Sequence, residues 1–303
     1  MKKNVKVTLS LFTLLIVSVL IAEILMRQFV GLGKMPLYKS SDIYEYIVQP
    51  NQSGHRFGCR YYYNSFSQRC DEPDSSKVKV LGLGDSVLFG GATIDQDDIA
   101  TTIYTNETGI QMLNISAGSW GPDNCAAYLK HHGLFDAKAI FLLVSSHDAT
   151  DNMDFTPVVG KSVHNPDKQY TSAWHELFAR YLIPRLKFKK AVTPKDPDQQ
   201  IADRDYIVKA GKTFNTGFAQ IKEIADSASL PLFVCLHAEK KELEEGYYNE
   251  MGNDIIGWCN DNGVFLIKLL DEGLLADMYR DNIHLNEKGL RFLADIMKKY
   301  IVF

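Results

Sequence analysis

Residues 77–86 read KVKVLGLGDS, an apolar run that ends in glycines, an aspartate and a serine. A short apolar run bounded by a turn signal is typical of a buried strand. The glycines permit a sharp turn at its end. Such a turn would leave the Ser86 hydroxyl at the edge of a sheet with backbone N–H groups around it. The alternative is that Asp85 and Ser86 merely cap the next helix.

Beyond Ser86, apolar runs alternate with segments of helical spacing. The pattern predicts strands over residues 77–83, 110–115, 137–144, 232–236 and 264–269, and helices over 97–108, 122–132, 205–228, 243–262 and 286–300. Such alternation predicts parallel strands with helices on both faces. The fold expected is α/β: a three-layer α/β/α sandwich with a mainly parallel five-stranded sheet, preceded by an N-terminal transmembrane helix.

The N-terminus predicts a membrane anchor over residues 1–27. Lysines precede an apolar stretch from Val7 to Met26, interrupted only by Glu23, and its 20 residues suffice to cross a bilayer. A cleaved signal peptide or a buried helix is the alternative, although the exit from the apolar run is a poor cleavage site. With the lysines on the cytoplasmic side, the rest of the chain should lie outside the cytoplasmic membrane.

A linker and Tyr-rich extension follow over residues 28–75, and a single body over 76–303 contains a proline-rich insertion or lid at about 151–204. Cys59 and Cys70 flank a Tyr-rich run around Asn64-Ser65. A hairpin there would let the two thiols pair in an oxidising compartment, and the sequence leaves this open. Cys235 lies in an apolar run and is expected in the core.

The bulk composition is that of a globular protein, with 46% hydrophobic and 23% charged residues. The formal net charge of −4 offers no basic face for nucleic acid, so no nucleic-acid partner is expected. The cysteine spacings match no zinc site. The oligomeric state is not predicted.

A second cluster, Asp281-Asn282-Ile283-His284, precedes the last predicted helix. A nucleophilic serine needs a base, and the base needs a group that orients it. Asp281 and His284 are spaced so that the carboxylate can reach Nδ1 while Nε2 points outward. Taken alone, the same residues are more simply read as a helix cap and a surface histidine.

Gly84-Asp85-Ser86 near the start of the body and Asp281-x-x-His284 near its end resemble the first and last blocks of the SGNH/GDSL hydrolases. The resemblance covers about residues 77–300. It implies Ser86 as nucleophile, His284 as general base and Asp281 as its orienter, with no cofactor and no metal. It also implies an oxyanion hole that includes the N–H groups of Ser86 and Gly118, the latter in the second block, residues 114–118.

The third block departs from the family, which has Gly-x-Asn-Asp where this chain has Ser145-Ser146-His147-Asp148. His147 therefore stands in place of the oxyanion-binding asparagine, where a neutral imidazole would donate one N–H. Asp85, Trp120 and Asp148 are further candidates for the pocket. For Trp120, packing is the simpler interpretation.

The expected function is a serine esterase acting through an acyl-enzyme on glycan or lipid esters of the cell envelope. An O-acyltransferase would use the same triad, and a catalytically silent binding domain is motivated by His147. A metal-dependent phosphoesterase is the remaining alternative. Its metal ligands would be Asp85, His147, Asp148, Asp151 and His284.

Overall fold

The structure is a computed structural model, and it describes residues 2–187, 209 and 211–303. The strands in chain order are β1 (Tyr38–Ser41), β2 (Glu45–Val48), β3 (Gln52–Arg56), β4 (Cys59–Tyr63), β5 (Lys79–Gly84), β6 (Gln111–Ser116), β7 (Ala139–Ser145), β8 (Leu232–His237) and β9 (Phe265–Lys268). The helices of two turns or more are Lys2–Leu25, Ala100–Thr108, Pro122–His132, Gly217–Ser227, Glu250–Asp261 and Glu287–Tyr300, and a helix with a central π segment runs over 173–187.

The central sheet has the order β6-β5-β7-β8-β9, and all of its pairings are parallel. β5, β6 and β7 are buried along their whole length, as a sheet covered on both faces requires. Helix Ala100–Thr108 packs on Glu287–Tyr300, and Pro122–His132 packs on Gly217–Ser227, so that helices flank the sheet. This confirms the predicted α/β class and the five-stranded parallel sheet.

Two predicted helices have other bounds. The helix predicted over 243–262 is divided at Gly246, whose φ of 78° ends the short helix Lys240–Glu245. The helix predicted over 205–228 begins only at Gly217 within the described residues. Here the Asn215 side chain accepts the Gly217 N–H, and a Cβ on Gly217 would lie 2.0 Å from the backbone nitrogen of Asp123. Residues 205–208 lie outside the described residues.

The Tyr-rich extension forms two antiparallel hairpins, β1–β2 and β3–β4. The turn between β3 and β4 is Phe57-Gly58, both with positive φ, as two-residue hairpin turns require. The hairpin expected around Asn64-Ser65 is therefore wrong. All five cysteines are free, so Cys59 and Cys70 are not bonded. Cys235 is buried in the core as predicted.

The N-terminal helix Lys2–Leu25 continues as a π segment to Val30. Val5–Val30 is apolar and long enough to cross a membrane, and none of its most apolar window is buried against the protein. The proline-rich insertion has no regular structure from residue 151 to 172 and then forms the helix over 173–187. Its predicted part from 188 to 204 lies outside the described residues.

Candidate active site

Ser86 lies immediately beyond the carboxyl end of β5, as the first residue of the short helix Ser86–Phe89. Asp85 caps this helix, since its Oδ1 accepts the N–H of Val87 at 2.8 Å. Gly84 permits the tight exit, because a Cβ there would lie 3.0 Å from the Leu88 Cβ. Asp85 therefore has the capping role foreseen for it. The Ser86 side chain lines the cavity at the carboxyl end of β5.

The structure brings the two distant motifs together. The Ser86 Oγ lies 2.9 Å from Nε2 of His284. On the other side of the ring, Nδ1 lies 2.9 Å from Oδ2 and 3.1 Å from Oδ1 of Asp281. A serine, an imidazole and a carboxylate in this sequence of contacts allow proton transfer from Oγ to Nε2 while the carboxylate stabilises the resulting cation.

Asp281 is held as an acceptor by the backbone of its own loop. Its Oδ1 accepts the N–H groups of Ile283 at 2.9 Å and of His284 at 2.7 Å. Burial alone would raise its pKa, but these two donors and the imidazole hold the pKa of the Asp281 carboxyl below its usual value. The carboxylate is therefore charged at neutral pH, as an orienter of His284 needs.

His237, at the end of β8, holds the same loop from beneath. Its Nε2 lies 2.7 Å from the carbonyl oxygen of Ile283. Burial lowers the pKa of His237 to about 4, so the ring is neutral and donates through Nε2–H. The backbone of Lys240 also donates to Asn282 O at 2.9 Å. Sequence reasoning missed His237, which no motif marks.

Gly118, of the second block, lines the same cavity as Ser86 and His284. Among the described residues other than 117–119, no heavy atom lies within 4 Å of the place where a Cβ would stand on Gly118. The Tyr46 hydroxyl, from β2, donates to the carbonyl oxygens of Gly118 at 2.9 Å and Ser119 at 3.2 Å. The Tyr-rich extension thereby fixes the peptide units that follow the second block.

The His147 ring lies among three acidic groups. Its Nδ1 is 3.1 Å from Oε1 of Glu239, and its Nε2 is 3.7 Å from Asp85 and 4.0 Å from Asp148. Burial alone would lower its pKa, but the neighbouring carboxyl groups raise the pKa of His147 to about 10. The neighbouring carboxyl groups therefore favour the imidazolium form, whereas the sequence suggested a neutral imidazole. The ring Nε2 lies too far from both aspartates for a hydrogen bond.

Asp85, His147 and Asp148 are close enough together to be considered as metal ligands. A metal would need a deprotonated ring nitrogen. Here Nδ1 is 3.1 Å from Glu239, and Nε2 faces the two aspartates. His284, which completed the phosphoesterase hypothesis, is instead bonded to Ser86 and Asp281. His284 therefore does not belong to the cluster of Asp85, His147 and Asp148.

A cavity of about 600 Å³ opens at Ser86. The extension and the insertion form much of its wall, and the polar residues that they and the last loop contribute include Tyr38, Arg56, Tyr63, Arg180, Tyr181 and Arg280. The sequence did not point to these residues. They come from segments more than two hundred residues apart and share no spacing pattern.

The three pocket candidates do not line this cavity, and His147 is not among its lining residues either. Trp120 is buried and its Nε1 donates to the carbonyl oxygen of Tyr46 at 2.9 Å, which is the packing role considered for it. Asp85 and Asp148 are buried beside His147. Asp148 Oδ2 accepts the N–H of Ser145 at 2.7 Å, so that it closes the turn after β7.

No protein-family model and no curated protein matches the chain. Among solved structures it is similar to a protein assigned to the lipolytic proteins of the G-D-S-L family from Desulfitobacterium hafniense, with 11% identity, a TM-score of 0.42, and coverage of 74% of this chain and 100% of the other. It is also similar to a family two carbohydrate esterase from Clostridium thermocellum, with 9% identity, a TM-score of 0.38, and coverage of 74% and 64%.

Proposed function

We propose that this protein is a serine esterase in which Ser86 is the nucleophile, His284 the general base and Asp281 its orienter. The observation that carries the proposal is the 2.9 Å contact between Ser86 Oγ and His284 Nε2, continued by the contact from Nδ1 to Asp281. An otherwise weak nucleophile is activated in this way, by an adjacent base that a third group holds in place.

In the proposed reaction, His284 takes the Ser86 proton as Oγ attacks an ester carbonyl. The tetrahedral intermediate collapses to an acyl-enzyme when His284 returns the proton to the leaving alcohol. Water, deprotonated by the same imidazole, then releases the acid. The N–H groups of Ser86 and Gly118 and the Nε2–H of His147 would stabilise the oxyanion. A charged donor forms a stronger hydrogen bond than a neutral one, which favours the imidazolium in this role.

The proposed location is the outer side of the cytoplasmic membrane, with the N-terminal helix as a retained single-pass anchor. Its length and apolar character allow this. Glu23 accepts the N–H of Ala173, and Arg27 donates to the carbonyl oxygen of Thr171, so the helix contacts the insertion. Full-length chain that stays with membranes after alkaline carbonate extraction would support the anchor, and a released, shortened chain would refute it.

The proposed substrates are acyl esters of envelope glycans or lipids, in keeping with this location. An O-acyltransferase is the alternative, because a sugar hydroxyl can replace water at the acyl-enzyme. The two are separated by incubating the protein with p-nitrophenyl acetate, with and without an oligosaccharide acceptor. Acetate in both tubes indicates a hydrolase, whereas an acetylated sugar indicates a transferase. Turnover that persists in Ser86→Ala would contradict both.

A further inference from the structure

The helix over 173–187 begins against the outer end of the N-terminal helix. The Glu23 carboxylate accepts the N–H groups of Ala173 at 2.8 Å and Trp174 at 3.2 Å, and it also pairs with Arg27 at 2.6 Å. Glu23 thus satisfies N–H groups that have no partner within their own helix. This contact explains an acidic residue in an otherwise apolar run, and it ties the insertion to the proposed anchor.

The depth of this contact in a bilayer follows from the helix length. The 18 residues from Val5 to Ala22 span about 27 Å, close to the thickness of a hydrocarbon core of about 30 Å. Glu23 then lies at the outer boundary. Trp174, whose indole Nε1 donates to the Val19 carbonyl at 3.2 Å, lies at the interface, where tryptophan is enriched in membrane proteins.

The two sides of this helix have different surroundings. On one side, Arg180 and Tyr181 line the cavity at Ser86. On the other side, Phe178 stacks on Trp174 with ring centroids 6.1 Å apart, and the apolar side chains of Phe178, Leu182 and Ile183 are 48%, 37% and 44% exposed. A row of large apolar side chains exposed next to the proposed membrane-spanning segment indicates an interaction surface.

A charge near this row fits a lipid surface, because Arg185, two residues beyond Ile183, is exposed. Basic residues combined with an apolar face are typical of helices that lie in the plane of a membrane interface, where they meet anionic headgroups.

We propose that the apolar side of the helix over 173–187 docks on the outer leaflet of the bilayer that holds the anchor. The inference rests on the anchor proposed above but not on the esterase chemistry. The helix is then a wall with lipid on one side and the cavity on the other, so the cavity lies about one helix diameter, about 10 Å, from the membrane. Esters carried on membrane-held molecules are within its reach.

The test is nitroxide accessibility in the full-length chain, reconstituted in vesicles of three parts phosphatidylcholine to one part phosphatidylglycerol. Labels are placed singly at Phe178→Cys and Leu182→Cys in a Cys59→Ser background, since the other four cysteines are buried. Val17→Cys reports the anchor, and Leu275→Cys, 51% exposed in a loop of the body, is the aqueous control.

Oxygen is concentrated in lipid, while a nickel chelate stays in water. We expect the ratio of oxygen to nickel collisions at positions 178 and 182 to exceed that at 275 several-fold and to approach that at 17. If the ratios at positions 178 and 182 equalled that at position 275 while position 17 was shielded from the nickel chelate, the docking would be overturned and the anchor would stand. An accessible position 17 would overturn both. None of these outcomes bears on the esterase proposal, which is tested separately by ester turnover.

Discussion

At the scale of single residues, His147 departs from the SGNH/GDSL pattern that the sequence motifs resemble, at a position proposed here for the oxyanion hole. The charged ring offers Nε2–H, which lies beyond hydrogen-bond distance of Asp85 and Asp148, while Nδ1 is engaged with Glu239. The same charge lies beside two buried carboxyl groups, so the residue has an electrostatic role as well as the proposed role as a donor.

We expect His147→Leu to lower kcat by about a hundred- to a thousand-fold with little change in KM, because a donor to the transition state is lost. His147→Asn, which restores the family's side chain, should keep much more activity. Steady-state kinetics on p-nitrophenyl acetate check this, with thermal unfolding as the control for folding. If folded His147→Leu turned over at the wild-type rate, His147 would have no part in the oxyanion hole.

At the scale of elements, the loop that carries Asp281 and His284 depends on β8 beneath it. The contact from His237 Nε2 to the Ile283 carbonyl, at 2.7 Å, crosses between the two. His237 touches neither Ser86 nor the proposed substrate position, so it is a positioning residue. Its effect on turnover would come from the placement of His284.

We predict that His237→Leu lowers kcat by about ten- to a hundred-fold, since small displacements of a catalytic group are costly. His237→Gln retains an N–H donor for Ile283 and should recover most of the rate. Parallel measurements of kcat, KM and unfolding temperature separate positioning from stability. Equal rates in the Leu and Gln variants would show that the contact does not position His284.

Element boundaries show how far the sequence could be interpreted. Helix Pro122–His132 has the bounds that its spacing and first-turn proline predict, and the strand at 77–83 is displaced by only a residue or two in β5. The errors arose at residues whose backbone conformation depends on context. The helix predicted over 243–262 includes Gly246, whose positive φ ends a helix, and the turn at Phe57-Gly58 lies outside the Asn64-Ser65 signal.

The candidate site divides in the same way. Ser86, Asp281 and His284 could be predicted because each motif is local and because the two motifs together resemble the first and last blocks of the SGNH/GDSL hydrolases. Tyr46, Arg56 and Arg180 reach the site only through tertiary packing of the extension and the insertion. Side chains brought together in this way share no spacing in the sequence, so periodicity and motif arguments do not find them.

At the scale of the whole molecule, Glu45 joins the extension, the body and the insertion. Its Oε2 lies 2.5 Å from Lys209 Nζ and accepts from Asn124 at 2.8 Å. Its Oε1 accepts the N–H groups of Asp154 at 2.8 Å and Phe155 at 2.9 Å. The Glu45–Lys209 pair is buried, so its loss would leave an uncompensated charge inside the protein.

We expect Glu45→Gln to lower the free energy of unfolding by about 3–5 kcal/mol, as for other buried pairs that lose one partner. Asp277→Asn is the matched control, because its pair with Lys288, at 2.6 Å, is exposed and should be worth less than about 1 kcal/mol. Denaturant unfolding of both variants in detergent decides the matter. A loss at Glu45 no larger than that at Asp277 would remove Glu45 from the role described.

The pH dependence of stability is also a property of the whole molecule. Because His237 has a pKa of about 4 when folded and about 6.5 when unfolded, the folded state binds fewer protons, and stability falls as pH drops from about 6.5 to about 4. His237→Gln cannot titrate. Between pH 7 and pH 5, the free energy of unfolding of the wild type should therefore fall by about 2 kcal/mol more than that of His237→Gln. If the unfolding free energies of the two proteins changed in parallel with pH, His237 would not be a buried histidine that stays neutral.

The central claim is that the Ser86 hydroxyl is activated by His284. Its most direct test is intact-mass measurement after treatment with a fluorophosphonate probe, comparing the wild type with Ser86→Ala, His284→Ala and Ser119→Ala. Ser119 lines the same cavity and serves as the matched serine control. We predict one phosphonyl adduct on the wild type and on Ser119→Ala, none on Ser86→Ala, and strongly slowed labelling of His284→Ala. An unlabelled wild type, or an adduct that persists in Ser86→Ala, would contradict the account.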